Sequence, residues 1–173
     1  MEGLAGPLFI AAALVVVAGI PKVTDPGDTT RAMRSVGLPS SDNLVRALAI
    51  AEIAIGLSVI VFGGRLAAGL LALLYLGFAG FIVLAMTRGG SVASCGCFGK
   101  ADTPPTHAHL VLDLAAAAVA IAAVASPPPA FTDLLADQPA FGIPFVAFVA
   151  LGSWLGYLTL TLLPRLQAAR TGA

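Results

Sequence analysis

Both cysteines of the chain fall in one short string, Ser94-Cys95-Gly96-Cys97-Phe98-Gly99. Thiols at i and i+2 reach disulfide distance only if the backbone between them folds tightly, and Gly96 permits that. A ring so small is strained, and strained disulfides are more oxidising and exchange more readily than structural ones. Cys95 and Cys97 are therefore expected to be a redox pair and are the candidate catalytic residues. Two other readings stay open. One is a pair of free thiols in a turn. The other adds His107 and His109, giving C-x-C-x9-H-x-H, four ligands suited to zinc or another soft cation. That spacing matches no common zinc pattern and requires two i,i+2 chelates, so no metal is assigned.

A second group of reactive residues lies inside apolar stretches. Glu52 and Asp113 each sit nine residues into such a stretch, about 14 Å deep at 1.5 Å per residue. His109 precedes Asp113 by four residues, which places both on one helical face. Arg46 stands near the start of the stretch that holds Glu52. Ionisable groups at this depth are costly and are functional candidates by default. Glu52, His109, Asp113 and Arg46 share the leaflet beneath the cysteines. They are expected to form a polar cavity able to receive a quinone head or a transferred proton. The bland alternative is an ion pair, Arg46 with Asp113 or Glu52, that locks two helices together.

The elements that must position these groups are membrane helices. Of 173 residues, 58% are apolar and 10% charged, against roughly 25% charged in a soluble domain. Nine acidic residues balance nine Lys/Arg, which leaves no basic footprint for nucleic acid. Five stretches are long and apolar enough to cross a bilayer: Leu4–Ile20, Asn43–Phe62, Leu66–Thr87, Pro104–Ala125 and Phe141–Leu163. The first stops at Pro21-Lys22 and the last at Pro164. Ser40-Ser41-Asp42 is a cap signal for the second. Met1-Glu2-Gly3 lacks the positive charge of a signal peptide, so the first stretch is read as a span. In the first connection, Asp28 to Pro39 reads as a short capped helix at headgroup level. Gly152 and Gly156 form a G-x-x-x-G that lets another helix approach, in this chain or in a partner.

With five spans, Lys22, Arg31, Arg34, Arg46, Arg88, Lys100, Arg165 and Arg170 collect at one end and Arg65 alone at the other. The positive-inside rule makes the crowded end cytoplasmic. The cysteines belong to that end, whereas disulfides are donated outside the cytoplasm.

Several strings together resemble the MauE branch of the DoxX-like membrane proteins over roughly residues 5–125. They are Lys22-Val-Thr-Asp-Pro, Gly37-Leu-Pro, Glu52-Ile-Ala-Ile-Gly, Arg65-Leu-Ala-Ala and, most specifically, Cys95-Gly-Cys-Phe-Gly. The resemblance implies a four-helix transmembrane bundle over 1–125; the expected fold is thus an all-α, polytopic membrane protein in which 126–173, a loop, a fifth transmembrane helix and a short tail, lie beyond the matched region as an added packing element. Its layout is similar to quinone-linked thiol oxidases of the DsbB and vitamin K epoxide reductase type. MauE proteins are associated with disulfide formation in methylamine dehydrogenase beside a thioredoxin-like partner, which favours an extracytoplasmic position for the cysteines. The chain lacks the second cysteine pair of those oxidases and has C-x-C where they have C-x-x-C, so exchange with the partner would be direct.

Two functions follow as expectations. One is a multi-pass thiol–disulfide oxidoreductase of the cytoplasmic membrane, working with a partner protein and a quinone. The other is an accessory subunit of a larger membrane complex, a transporter or respiratory assembly. Copurification with such a complex, its activity unchanged by Cys95→Ser and Cys97→Ser, distinguishes the second from the first.

Overall fold

The computed structural model describes residues 4–88, 106–136 and 138–171, with backbone alone at 139, 141 and 163–171. Its elements are α1 (Ala5–Thr24), α2 (Gly27–Ser35), α3 (Asp42–Val61), α4 (Gly64–Thr87), α5 (His107–Ala125), α6 (Phe131–Ala136), a 3-10 turn (Pro139–Gly142) and α7 (Ile143–Thr171). No strand occurs among the described residues. Five of the helices are long and apolar enough to span a membrane, and each overlaps one of the five stretches read from the sequence. The protein is a multi-pass membrane protein set in a lipid bilayer.

Helix α1 is the centre. It packs on α3, α5 and α7, while α4 packs on α5 and α3. Half of its apolar window is buried, more than in any other span. The α1–α3 approach depends on two glycines. A Cβ on Gly56 would come 2.7 Å from the Ala12 carbonyl, and one on Gly19 would come 2.9 Å from the Ala49 carbonyl. Small residues thus bring the two backbones into contact, the usual device where lipid provides no hydrophobic drive between helices. The outward faces carry large apolar side chains such as Leu66, Leu73, Val111 and Leu151, as lipid contact requires.

Two expected helix ends are corrected. Helix α1 runs through Pro21 to Thr24, because proline removes one helical hydrogen bond without ending the helix where tertiary contacts hold the last turn. The Asp25 amide and the Thr24 hydroxyl both donate to the Pro21 carbonyl, at 2.8 and 3.0 Å. Helix α7 starts at Ile143, after the 3-10 turn that takes in residue 141, and its backbone passes Pro164 to Thr171.

The expected short helix in the first connection is α2. Its Thr30 hydroxyl donates to Asp42 Oδ1 at 2.8 Å, tying it to the start of α3. The Ser41 hydroxyl accepts from the Leu44 amide, as its cap position predicts. Arg88, at the end of α4, donates to the Val36 carbonyl at the end of α2. The proline-rich stretch after α5, read as plain loop, contains α6. Phe131 there meets Phe9 edge-on at 5.0 Å and also contacts Phe145, which fastens the connection beneath the bundle.

The G-x-x-x-G of α7 faces α1. Gly152 lies against Ile10 and Gly156 against Leu14, while Gly6 of α1 receives Phe148. The three contacts keep one register, so α7 runs parallel to α1 on the outside of the first four spans.

Candidate functional site

The buried face of α3 is the stripe Val45, Ala49, Glu52, Gly56 and Val59, spaced by four and three residues. That periodicity turns Glu52 into the bundle, where it is 0% exposed. Lys22 comes from the last turn of α1 and is 3% exposed. Its Nζ donates to Glu52 Oε1 at 2.9 Å and to Oε2 at 2.8 Å. Lys22 also lies over the Phe78 ring of α4, 5.1 Å from its centre, a favourable cation–π position. An isolated charge in such surroundings is prohibitive, so each member of the pair is tolerated because the other is present.

The partner of Glu52 is Lys22, and Arg46, read either as a headgroup anchor or as the counter-ion, stands exposed on α3. Six residues at 100° each put it about 240° around the helix from Glu52, on another face. Lys22 was missed because Pro21 was taken as the end of the span. The signal was present: stepping the stripe Ala11, Val15, Ala18 on by four residues reaches Lys22, which continues the buried face of α1.

On α5, His109 (2% exposed) and Asp113 (9% exposed) share the inward face, as their four-residue spacing predicts. His109 Nδ1 is 2.9 Å from the Thr106 hydroxyl one turn back. His107 is exposed. The two histidines lie about 200° apart on the helix and so do not form a chelating pair. Among the described residues no group of three metal-ligating side chains occurs. On α4, the Tyr75 hydroxyl donates to the Ala11 carbonyl at 2.7 Å.

These groups surround two cavities. The first, of about 240 Å³, lies between α1, α4 and α5; its walls are apolar, with Lys22, Tyr75, His109 and Asp113 as polar points, and Leu160 of α7 closes part of it. The second, of about 390 Å³, lies between α2, α3 and α4 and is lined by Lys22 and Glu52 among apolar side chains. Lys22 and Phe78 line both. Of the expected polar cluster, Glu52, His109 and Asp113 are thus inside the bundle and Arg46 is outside it.

Cys95 and Cys97 lie outside the described residues. The flanking described residues, Arg88 and Thr106, cap the end of α4 and the start of α5 on the side of the bundle where α1 ends, with Lys22 in its last turn.

A family model described as methylamine utilisation protein MauE matches residues 3–127. The chain belongs to the MauE family. The match takes in α1 to α5, and with them Lys22, Glu52, Tyr75, His109, Asp113 and the Cys-Gly-Cys string. Helices α6 and α7 follow it, so Leu160 brings to the first cavity of this MauE-family chain a side chain from beyond the matched region. Neither the curated proteins nor the solved structures gave a match.

Proposed function

We propose that this MauE-family protein is a thiol–disulfide oxidoreductase of the cytoplasmic membrane, using Cys95 and Cys97 outside the cytoplasm to form disulfides in a partner during enzyme maturation. The family name points to methylamine dehydrogenase as the kind of enzyme served, with a thioredoxin-like protein as the direct partner. One observation carries the proposal. The cysteine segment is strung between α4 and α5, and at that end of the bundle Lys22 of α1 and His109 and Asp113 of α5 line one apolar-walled cavity, with Glu52 of α3 holding Lys22. Charged groups are held inside a membrane bundle at considerable cost, and proton-coupled chemistry is the use that repays it.

In the proposed cycle a partner thiolate attacks the Cys95–Cys97 disulfide and forms a mixed disulfide. The second partner thiolate resolves it. The partner gains a disulfide and loses two electrons and two protons; Cys95 and Cys97 become thiols. Return to the disulfide requires a two-electron acceptor, and the first cavity fits a quinone ring: apolar walls for its faces, and Lys22 and His109 as donors for its carbonyl oxygens. A quinone bound there would supply the sink for two electrons and two protons. Asp113 and His109, one turn apart, are the groups suited to carry protons from the loop side, while Glu52, bonded through both oxygens, fixes the position of Lys22 Nζ.

An extracytoplasmic position accords with how the basic residues are used. Lys22 is neutralised by Glu52, Arg31 is paired with Asp28, and Arg88 is committed to the Val36 carbonyl. Three of the eight charges that favour the cytoplasm are thus engaged within the protein.

The test is trapping. Cys95→Ser and Cys97→Ser singly should each leave one thiol, and one of the two variants should accumulate a mixed disulfide with a partner released by reductant. On intact cells treated first with a membrane-impermeant reductant, a membrane-impermeant maleimide should label the wild-type cysteines. No trapped partner, together with fixed-stoichiometry copurification in a larger complex, would instead support the accessory-subunit role.

A further inference from the structure

Helices α3 and α5 each start on a hydroxyl residue with the extended backbone of a helix cap: Ser41 at φ −147°, ψ 156° and Thr106 at φ −126°, ψ 162°. The two hydroxyls are used differently. Ser41 accepts from the Leu44 amide at 3.2 Å and so caps α3. Thr106 makes no side-chain cap bond to α5, and its hydroxyl lies 2.9 Å from His109 Nδ1 instead. Its carbonyl still accepts from the Leu110 amide, so the helix starts at its cap residue while the hydroxyl serves a side chain. A local rule is broken here beside the first cavity, which His109 lines, and such departures are expected where function has a claim on the residue.

The Thr106–His109 bond can run in either direction, and the surroundings choose between them. His109 stands in the first turn of α5, whose amides carry positive partial charge, and Lys22 lines the same cavity. Both oppose a charged imidazolium. Glu52 is engaged by Lys22 and the Tyr75 hydroxyl by the Ala11 carbonyl, while Asp113, the acid that lines this cavity, stands one turn further along α5. A neutral ring carries one proton, on Nδ1 or on Nε2. With the proton on Nδ1, the Thr106 hydroxyl would be the acceptor, and its own proton would need another partner at a half-buried position. With the proton on Nε2, the hydroxyl donates to Nδ1, and one bond satisfies both groups.

We propose that Thr106 is a positioning residue: its hydroxyl donates to His109 Nδ1, holds the ring on the inward face of α5 and places the proton on Nε2, the atom from which His109 donates within the cavity. The use of that N–H on a quinone carbonyl rests on the function proposed above; the tautomer does not.

The experiment uses the full chain in detergent micelles with 15N-labelled histidine. The chain has two histidines, and His107 is exposed, so it reports the ordinary behaviour of the ring in the same spectrum. At neutral pH His109 should show a protonated Nε2 and an unprotonated Nδ1 as one fixed tautomer, while His107 averages the two and titrates. Thr106→Val removes the hydroxyl and should release His109 to a mixture; Thr106→Ser should restore the single tautomer. Exchange of the amides at 110–113 should keep its wild-type rate in Thr106→Val, whereas loss of a helix cap would speed it about fivefold. A proton on Nδ1 in the wild type, a doubly protonated ring, or a tautomer unchanged by Thr106→Val would overturn the assignment. A second measurement separates it from the redox reading. Oxidation of dithiothreitol with a short-chain quinone as acceptor should fall about tenfold in Thr106→Val and recover in Thr106→Ser. Undiminished oxidation once the tautomer is lost, or a wild-type chain that oxidises no thiol, would overturn the use of His109 in that reaction and leave the tautomer assignment standing.

Discussion

Lys22 Nζ lies within 2.9 Å of both carboxylate oxygens of Glu52, and the two side chains, thirty residues apart in sequence, are buried together. Removing one partner leaves a bare charge in the bundle. Lys22→Met alone or Glu52→Gln alone should destabilise the protein by about 3–5 kcal/mol, whereas the double variant Lys22→Met/Glu52→Leu should recover most of the loss. Thermal unfolding of the four proteins in one detergent measures this. A double variant as unstable as the worse single one would show that the pair is not the unit.

Tyr75 binds α4 to α1 through one hydrogen bond to the Ala11 carbonyl. Tyr75→Phe keeps the ring and its edge-on contact with Phe78, so the loss should be that of one neutral hydrogen bond, about 0.5–1.5 kcal/mol. Denaturation midpoints of the two proteins compare them directly. A much larger loss would mean that the hydroxyl supports more than this contact.

The seat of α7 on α1 can be read by cross-linking. In a Cys95→Ser/Cys97→Ser background, Ile10→Cys with Gly152→Cys should form a disulfide on mild oxidation, because these positions touch. Adding Gly156→Leu, where a Cβ already comes 2.9 Å from Leu14, should push α7 off and abolish the cross-link. Cross-linking that persists at the wild-type level would refute the seat.

Gly37 follows α2 with φ +76°, and a Cβ there would come 2.8 Å from the Arg88 guanidinium. Gly37→Ala should cost about 1–2 kcal/mol from the left-handed backbone alone and should displace Arg88 from the Val36 carbonyl. Hydrogen exchange over residues 27–35 should accelerate, with the spans unaffected. Uniform acceleration across the bundle would instead mean that α2 is integral to its stability.

Much of this architecture was legible because lipid imposes a simple rule: every buried backbone group must be paired, so apolar length translates directly into helices. Ser41 was legible from its capping chemistry; α2 was legible from the Gly37 and Pro39 that follow it, but its expected cap at Asp28 is not formed, since the helix begins at Gly27 after Pro26, which makes no side-chain cap bond. Glu52, His109 and Asp113 were legible because ionisable side chains in a span must turn inward. Lys22 was hidden by the assumption that Pro21 ends a helix, and its partnership with Glu52 depends on the Gly19 and Gly56 contacts between α1 and α3, a tertiary fact. Helix α6 was hidden because a proline run reads as loop, while its anchor, Phe131 on Phe9, is long-range. For Arg46 only the counter-ion reading falls: proximity along the sequence suggested a partnership that helical phase forbids.

The odd number of spans has an electrostatic consequence. Helices α1, α4 and α7 finish at the end of the bundle where α3 and α5 begin, so three carbonyl-bearing termini face two amide-bearing ones. Each terminus carries about half an elementary charge of macrodipole, negative at the carbonyl end, so that face bears a surplus of negative partial charge. Lys22 in the last turn of α1 and Arg88 at the cap of α4 stand at two of those carbonyl-bearing termini. Part of the basic crowding at this end is thus a counter-charge to the polarity of the bundle itself, and would be needed there whichever compartment that face meets.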